Sequence, residues 1–410
     1  MNGGLAATRD IDALDDALTE DHPSDDRLNE PDVMPSTLPG GALPRRALPR
    51  RALLTAGLGG VAAAGALAAP AIAQTAPELR WRLASAYPKT LDILFGASET
   101  FGRLVAEATD GRFQIKPLGV GEAVGADGLL DAVAAGTVEM GHAPATLAMQ
   151  KDPTFALATA LPFGLNARGQ NAWWLAGGAS ELFAEIFAKQ GLATLPGGNT
   201  GAQMGGWFRR EIKSVADLQG LKIRIAGLGA QVLAKLGAVP QATPGPEIYA
   251  ALESKAIDAA EWIGPYDDEK LGLQKVAPIY HYPGFWEGGA MLHFWLNAEK
   301  WKALPKTYRA ALQGAAAQVS AEVQARYDAR NPGALRRLVA GGAQLRPFPQ
   351  DVMEAALKQA NEVYGEIAAK NPDFKRIFEA MKTFRNEEYL WFQVAEYTYD
   401  NFMIRARARG

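Results

Sequence analysis

Apolar and polar residues along positions 79–141 repeat an order of short strand followed by amphipathic helix. Alternating side chains are typical of a half-buried strand, and apolar residues at helical spacing are typical of a helix with one buried face. The pattern predicts strands over residues 79–85, 113–117 and 138–141, and helices over residues 91–109 and 128–135. This alternation predicts an α/β fold.

A later helix-then-strand unit leads into a polar cluster. Residues 248–252 have helical apolar spacing, and residues 256–260 predict a short buried strand that ends at Glu261. Charged, aromatic and turn-forming residues follow as far as Lys270. Because ligands of open α/β sheets bind at the carboxyl ends of the strands, the cluster predicts a binding site. The alternative is a solvated loop that contains one packed tryptophan.

Two further segments place polar groups in an apolar background. Glycines surround the amides of Asn199 and Gln203 in residues 197–208, and a backbone without side chains can approach a ligand closely. A predicted strand over residues 221–225 carries Arg224 among apolar residues. A buried arginine needs an anionic partner, which is either an internal carboxylate or a bound anion. The sequence leaves both alternatives open.

The N-terminal segment has the pattern of an export signal. Arg50-Arg51 precedes an uncharged run of Ala, Gly and Leu that ends in Ala71-Ile72-Ala73. We interpret residues 50–73 as a twin-arginine signal peptide cleaved after Ala73, so the mature chain is expected in the periplasm. A membrane anchor is the alternative, but the run is only weakly apolar. Residues 1–49, rich in Asp, Pro and Gly, predict a disordered leader or a misassigned start.

Charge and composition exclude several classes of protein. Of the 42 Lys/Arg and 45 Asp/Glu residues, six and ten lie before residue 74, so the mature chain carries 36 and 35. A nearly neutral chain without basic runs gives no reason to expect nucleic acid or an anionic membrane surface as a partner. Cysteine is absent from the sequence, the four histidines form no ligand pair, and the Walker, dinucleotide and nucleophile-elbow motifs are missing. The sequence thus offers no obvious catalytic constellation.

Five segments together resemble one protein family. They are residues 198–207 with GNTGAQMGGW, 222–225 with KIRI, 246–249 with PEIY, 261–266 with EWIGPY and 283–289 with PGFWEGG. In this order they are similar to the solute-binding proteins of tripartite ATP-independent periplasmic (TRAP) transporters, in the branch that binds 2-oxo or 2-hydroxy acids together with a metal ion. The resemblance runs from about residue 81 to the C-terminus.

The resemblance implies a two-lobed α/β periplasmic-binding-protein fold, type II-like, with a long lobe-spanning helix. Lobe I would consist of residues 78–199 and 289–330, lobe II of residues 200–288 and 331–385, and a C-terminal dimerisation helix of residues 386–410. Aromatic residues on more than one face of this last helix agree with a homodimer, because a monomer would leave several of them in water. The implied function is capture of a small carboxylate and its delivery to the TRAP permease, not catalysis.

The resemblance also implies roles for single residues. Arg224 would hold the ligand carboxylate, because a guanidinium pairs bidentately and keeps its charge. Gln203, Glu261 and the backbone carbonyl of Trp262 would bind a cation that also touches the substrate, so Gln203 and Trp262 would belong to the substrate site as well. These oxygen donors favour Na⁺, with Ca²⁺ as the alternative.

Other residues of the matching segments receive roles in the same way. Asn199 and Glu287 would hydrogen-bond the ligand or the residues that hold it. Trp207, Phe285 and Trp286 would form walls of the pocket, with plain core packing as the alternative reading of these aromatics.

The sequence departs from the family at two places. Relatives have tyrosines in the loop that corresponds to residues 142–147, where this chain has His142 and Thr146 but no tyrosine, so ligand size or polarity is expected to differ. Lys255 replaces a helix-ending glycine, a change expected to affect the helix C-terminus. The rival function is an exported lyase or isomerase with Glu261 as general base and Arg224 as carboxylate clamp.

Overall fold

The computed structural model describes residues 77–407. The predicted leader, the predicted twin-arginine signal peptide and the cleavage site at Ala73 lie outside these residues. The strands are β1 (Leu79–Ser85), β2 (Phe113–Leu118), β3 (Met140–Pro144), β4 (Leu192–Asn199), β5 (Gly206–Phe208), β6 (Lys222–Arg224), β7 (Val239–Gln241), β8 (Ala259–Ala260), β9 (Ile279–Tyr282), β10 (Met291–Asn297) and β11 (Gln344–Pro347).

The α-helices alternate with these strands and then follow them. They are α1 (Leu94–Ala108), α2 (Leu129–Ala134), α3 (Ala156–Thr159), α4 (Ala167–Ala176), α5 (Ala179–Lys189), α6 (Gly227–Lys235), α7 (Ile248–Glu253), α8 (Pro265–Leu271), α9 (Ala298–Ala303), α10 (Lys306–Ala340), α11 (Gln350–Ala368), α12 (Pro372–Val394) and α13 (Glu396–Arg407). In the part of the chain that the structure describes, no helix combines the length and the apolar composition of a membrane span.

The strands form two mixed sheets. The first sheet has the order β2-β1-β3-β10-β4, and the second has the order β11-β9-β5-β8-β6-β7. In the first sheet β1 is parallel to β2 and β3, whereas β10 is antiparallel to β3 and β4. In the second sheet β6 is parallel to β7 and β8, whereas β5 is antiparallel to β8 and β9. The α/β class predicted from the sequence is confirmed.

The predicted elements differ from the observed ones mainly at their ends. The strand predicted over residues 256–260 is reduced to Ala259–Ala260, and Lys255 takes the left-handed backbone conformation with φ of 65° at the turn before it. The prediction of a single helix from residue 386 onwards was wrong. The helix begins at Pro372, and Ala395 with φ −91° and ψ −79° separates it from α13.

Helix α10 joins the cores of the two sheets. It contains 35 residues, which corresponds to a length of about 50 Å. Val319 and Tyr327 pack into the core around the first sheet, and Leu338 packs into the core around the second sheet with Trp207. One helix therefore contacts both cores.

A polar network connects the start of α1 to α8 and α10. The Asp92 carboxylate accepts hydrogen bonds from Lys270 Nζ at 2.6 Å, from Arg330 Nη1 at 2.7 Å and from the Tyr266 hydroxyl at 2.9 Å. Burial opposes the charge of Asp92, but the bonds from these three residues outweigh burial and lower the pKa of Asp92 to about 2. The network joins the helix beside the first sheet to the helix that follows β8.

Replacing Asp92 with asparagine (D92N) should lower the free energy of unfolding by about 1 kcal/mol at neutral pH, because several charges share this carboxylate. A carboxyl whose pKa is lowered by folding stabilises the folded state above its ordinary pKa of about 4, and this contribution is lost as the pH falls through the lowered value. The difference between D92N and the parent in urea unfolding should therefore shrink as the pH falls from about 5 towards 2.

Asp131→Asn is the matched control. It removes a single exposed ion pair to Lys151, which is expected to contribute about 0.5 kcal/mol or less. Equal losses in the two variants would contradict a special role for the Asp92 network.

Candidate ligand and cation site

Arg224 and Glu261 meet because their strands are neighbours. Strands β6 and β8 run parallel with Arg224 opposite Ala260, so the next residue, Glu261, leaves the carboxyl end of β8 beside the arginine. The Glu261 amide donates to the Arg224 carbonyl at 2.9 Å. The guanidinium Nη1 donates to the Glu261 carboxylate at 2.8 Å and to the Glu261 carbonyl at 2.7 Å.

This ion pair is largely enclosed. The side chains of Arg224 and Glu261 are 17% and 8% exposed. Burial raises the pKa of Glu261 to about 8; Arg224 opposes the rise, and Glu287 and Asp268 add to it. Burial likewise raises the pKa of Glu287 to about 7 against the influence of Arg224 and Gln203. The site therefore contains more acidic than basic charge, and positive charge would stabilise its ionised form.

Gln203, on the loop that is hydrogen-bonded to Glu287, has a side-chain oxygen without a hydrogen-bond donor. Its Nε2 donates to the Thr200 hydroxyl at 3.1 Å, whereas its buried Oε1 accepts no hydrogen bond from any described residue. A buried acceptor without a donor is rare and needs an explanation such as an ion or a ligand. An amide oxygen beside carboxylates is a suitable ligand for a hard cation.

The loop that contains Gln203 packs closely on the segment before Glu287. The Gln203 amide donates to the Glu287 carbonyl at 3.1 Å, and the Gly284 amide donates to the Gln203 carbonyl at 3.0 Å. A Cβ on Gly284 would lie 2.6 Å from the Met204 carbonyl oxygen and 2.7 Å from that of Gln203. Only glycine fits between these backbones, so Gly284 sets the distance between the two segments.

Trp262 lies against Arg224 on the other side. The guanidinium carbon is 5.2 Å from the centre of the Trp262 ring, within the range of a cation–π contact. A Cβ on Gly245 would come within 2.6 Å of this ring. The ring thus fills the space over Gly245 and limits the movement of the guanidinium.

Asn199 and Trp207 are placed in the core rather than at a cavity wall. Asn199 is fully buried, donates to the Gln170 side chain at 2.8 Å and accepts from the Gly201 amide at 2.9 Å. Trp207 is also fully buried, stacks on Tyr280 with ring centres 3.8 Å apart and donates to Asp268 at 2.9 Å. Both polar groups are engaged and both side chains are enclosed; contact of either residue with a ligand stays a prediction.

A cavity of about 40 Å³ adjoins the charged residues. It is lined by Thr146, Ala160, Pro162, Ile225, Ala226, Gly227, Leu228, Gly229, Glu261, Trp286 and Glu287. Of the three aromatics predicted as walls, only Trp286 lines it. The first turn of α6 also lines the cavity, which was not predicted from the sequence. Backbone N–H groups in the first turn of a helix lack partners within the helix and favour negative charge, and the glycines at 227 and 229 after Arg224 were the available signal.

Tyr87 was also missed as a residue near the site. It follows β1, and its ring packs edge-on to His142 with centres 5.6 Å apart. Burial raises its pKa, and the charges of Glu287 and Asp267 raise it further. Its position just after the carboxyl end of a strand was the signal that could have found it.

The chain matches the family model described as bacterial extracellular solute-binding protein, family 7, over residues 84–371. It is 48% identical over 326 residues to a monocarboxylate 2-oxoacid-binding periplasmic protein of Nostoc, a match that covers 80% of this chain and 89% of the relative. It therefore belongs to this family of extracellular solute-binding proteins.

Solved structures agree with this assignment. A TRAP transporter solute-binding protein from Bordetella bronchiseptica, a dimer with calcium and picolinate at one active site, superimposes with a TM-score of 0.79 at 47% identity, over 81% of this chain and 99% of that chain. A TRAP solute-binding protein from Pseudoalteromonas atlantica with sodium and pyruvate gives a TM-score of 0.76 at 37% identity, over 79% and 99%. The protein is accordingly a TRAP-transporter solute-binding protein, a transport component and not an enzyme, of a family that works outside the cytoplasm.

Gly284→Ala should lower the free energy of unfolding by about 2 kcal/mol, because the new methyl group clashes with two backbone carbonyls and must displace the Gln203 loop. Gly314→Ala is the control, since a Cβ there meets nothing within 4 Å and alanine favours a helix interior by about 1 kcal/mol over glycine. Thermal unfolding of both variants measures the difference. Loss of stability in neither variant would show that the loop tolerates a wider separation.

Proposed function

We propose that this protein captures a small 2-oxo or 2-hydroxy carboxylate together with a metal cation and delivers the carboxylate to the membrane subunits of a TRAP permease. The observation that carries the proposal is the buried Gln203 Oε1, which no described residue satisfies, on a loop that is hydrogen-bonded to Glu287 and, through Met204, to Ile263 just after Glu261. The relatives support the chemistry, since one is named for 2-oxoacid binding and others hold pyruvate or picolinate with sodium or calcium.

Each group has a role that follows from its chemistry. Arg224 pairs with the ligand carboxylate through its planar donors. Gln203, Glu261 and the carbonyl of Trp262 offer only oxygen atoms, which suits Na⁺ or Ca²⁺ better than a transition metal. Among the described residues there is no group of three or more His, Asp or Glu that would form a conventional metal cluster. A bound cation would offset the charge of Glu261 and attract the keto or hydroxyl oxygen of the ligand.

The two lobes provide the enclosure. We assign residues 78–199 with 289–330 to lobe I and residues 200–288 with 331–385 to lobe II. The cavity contains residues from both ranges, with Thr146 from the first and Glu261 from the second. Closure of the lobes around the ligand would remove Arg224 and Glu261 from water together, so ligand and cation should bind cooperatively.

The alternative function is an exported lyase or isomerase that uses Glu261 as general base. Membership of a family of transport proteins disfavours it. Recovery of the ligand unchanged after incubation distinguishes the two functions.

Isothermal titration tests the proposal directly. The mature protein is stripped of ligand by unfolding and refolding, freed of metal with a chelator, and titrated with 2-oxo and 2-hydroxy acids in the absence and presence of Na⁺ or Ca²⁺. Tight binding that requires a cation is expected for at least one acid. Absence of binding by every acid with either cation would overturn the proposed ligand class.

Arg224→Ala should weaken binding of the acid by about 3 kcal/mol, or more than a hundredfold, because the buried ligand carboxylate loses its partner. Arg209→Ala is the control. Arg209 forms a partly exposed pair with Asp258 at 3.4 Å on the same sheet, so the R209A variant should bind the acid with the affinity of the parent. Unchanged affinity of R224A in the same titration would remove Arg224 from the ligand site.

We propose further that two copies of the chain associate through the C-terminal helices. Large apolar side chains on α12 and α13 are exposed, with Leu390, Trp391, Phe402 and Ile404 between 60% and 64% accessible. An apolar face of this kind is typical of a protein interface. A Bordetella relative is a dimer.

Export through the twin-arginine route, with cleavage near Ala73, is proposed from the sequence pattern alone.

The parent protein should sediment as a dimer at micromolar concentration. The double variant W391E/F402E should sediment as a monomer with little change in melting temperature, because both side chains are exposed within one chain. Val239→Glu, at an exposed apolar residue on β7, serves as the control and should remain a dimer. A monomeric parent would exclude this interface.

A further inference from the structure

Glu287 is a second carboxylate at the cavity. Its side chain lines the same cavity as that of Glu261. Its position is held by two backbone hydrogen bonds of 3.1 Å, from the Gln203 amide to the Glu287 carbonyl and from the Glu287 amide to the Gly284 carbonyl. The close approach of Gly284 to the Gln203 carbonyl keeps these segments together. Glu287 is therefore attached to the loop whose buried Gln203 Oε1 has no donor among the described residues.

Arg224 makes its hydrogen bonds to Glu261 and not to Glu287, although its charge also lowers the pKa of Glu287. Arg224 donates to the carboxylate and carbonyl of Glu261 and to the Thr243 carbonyl at 3.3 Å. No Lys, Arg or His of the described residues lies within 4.0 Å of the Glu287 carboxylate. Glu287 is partly buried, and a partly buried carboxylate without an ion-pair partner would be stabilised by a bound cation.

The other nearby carboxylates do not share this need. Asp268 accepts hydrogen bonds from Trp207, Tyr280 and the Ile263 amide. Asp267 accepts from Tyr327 at 2.6 Å and from Lys270 at 2.8 Å. Their lone pairs are directed into the core, which leaves Glu261 and Glu287 as the two carboxylates that line the cavity.

We propose that Glu287 is the residue that makes this site prefer a divalent cation, Ca²⁺, over Na⁺. The inference rests on the proposed function and deepens it. In the ionised form of the site with a monocarboxylate bound, Arg224 supplies one positive charge, and Glu261, Glu287 and the ligand supply three negative ones. Ca²⁺ makes the enclosed group of charges neutral, whereas Na⁺ leaves one negative charge in a poorly solvated place. Carboxylate count is a main determinant of calcium affinity.

The experiment compares cation dependence in the parent and in Glu287→Gln. Each full mature chain is stripped and freed of metal, and pyruvate is titrated calorimetrically at increasing Ca²⁺ or increasing Na⁺ in a potassium buffer. The parent should reach half-maximal binding at a lower concentration of Ca²⁺ than of Na⁺. In E287Q the Ca²⁺ requirement should rise about tenfold or more, and the Na⁺ requirement should change by less than about threefold.

Three variants control the comparison. Glu287→Asp keeps the charge and should keep the preference for Ca²⁺. Glu287→Met is a second neutral side chain of similar length and replaces E287Q if that variant does not fold. Glu269→Gln removes a carboxylate on α8 that pairs with Arg337 at 2.7 Å, and it should leave both cation requirements unchanged.

The outcomes separate this inference from the proposed function. If the parent binds none of the acids with either cation, the proposed function and the inference both fail. If the parent binds with a cation but the neutral variants keep its ratio of Ca²⁺ to Na⁺ requirement, only the role of Glu287 is overturned. Equal weakening with both cations, at an unchanged melting temperature, would also overturn it, because a contact to the ligand affects both cations alike.

Discussion

The buried pair of Arg224 and Glu261 is the interaction on which the site depends. Both side chains are mostly enclosed, and the guanidinium bonds to both the carboxylate and the backbone carbonyl of the same glutamate. Removing two opposite charges from water is favourable only when their geometry is good and further hydrogen bonds satisfy their remaining donors and acceptors. Here the match is incomplete, because Glu287 adds negative charge that Arg224 does not neutralise. The unbalanced charge is what makes the cavity suited to a cation and an acid rather than to a neutral solute.

The surrounding fold holds this unfavourable arrangement in place. Parallel pairing of β6 with β8 brings Arg224 opposite Ala260 and Glu261 just beyond it. Behind them, Trp207 and Tyr280 stack and both donate to Asp268, so the acidic group in the core is satisfied by neutral donors.

Contacts from distant parts of the chain set the shape of the enclosure. Thr146 follows β3 of the first sheet, whereas the first turn of α6 follows β6 of the second sheet, and both line one cavity. Helix α10 packs into both cores, and Asp92 joins the start of α1 to α8 and α10. These connections, together with an apolar cluster that includes residues around both sheets, hold one relative position of the two sheets.

The sequence by itself determined the α/β class, the early strands and the positions of Arg224 and Glu261 at strand ends, because these follow from local periodicity and from the rarity of buried charges. The resemblance to a family also indicated Gln203 as a cation ligand. Only the tertiary structure decided that Asn199 and Trp207 are enclosed, that the first turn of α6 and Tyr87 lie near the acids, and that Ala395 interrupts the terminal helix. The reason is physical: a side chain's local pattern predicts whether it is buried, but its partner is chosen by strands and loops far away in the sequence. Asn199 binds Gln170 and Trp207 binds Asp268, and neither pairing is visible in the residues around them.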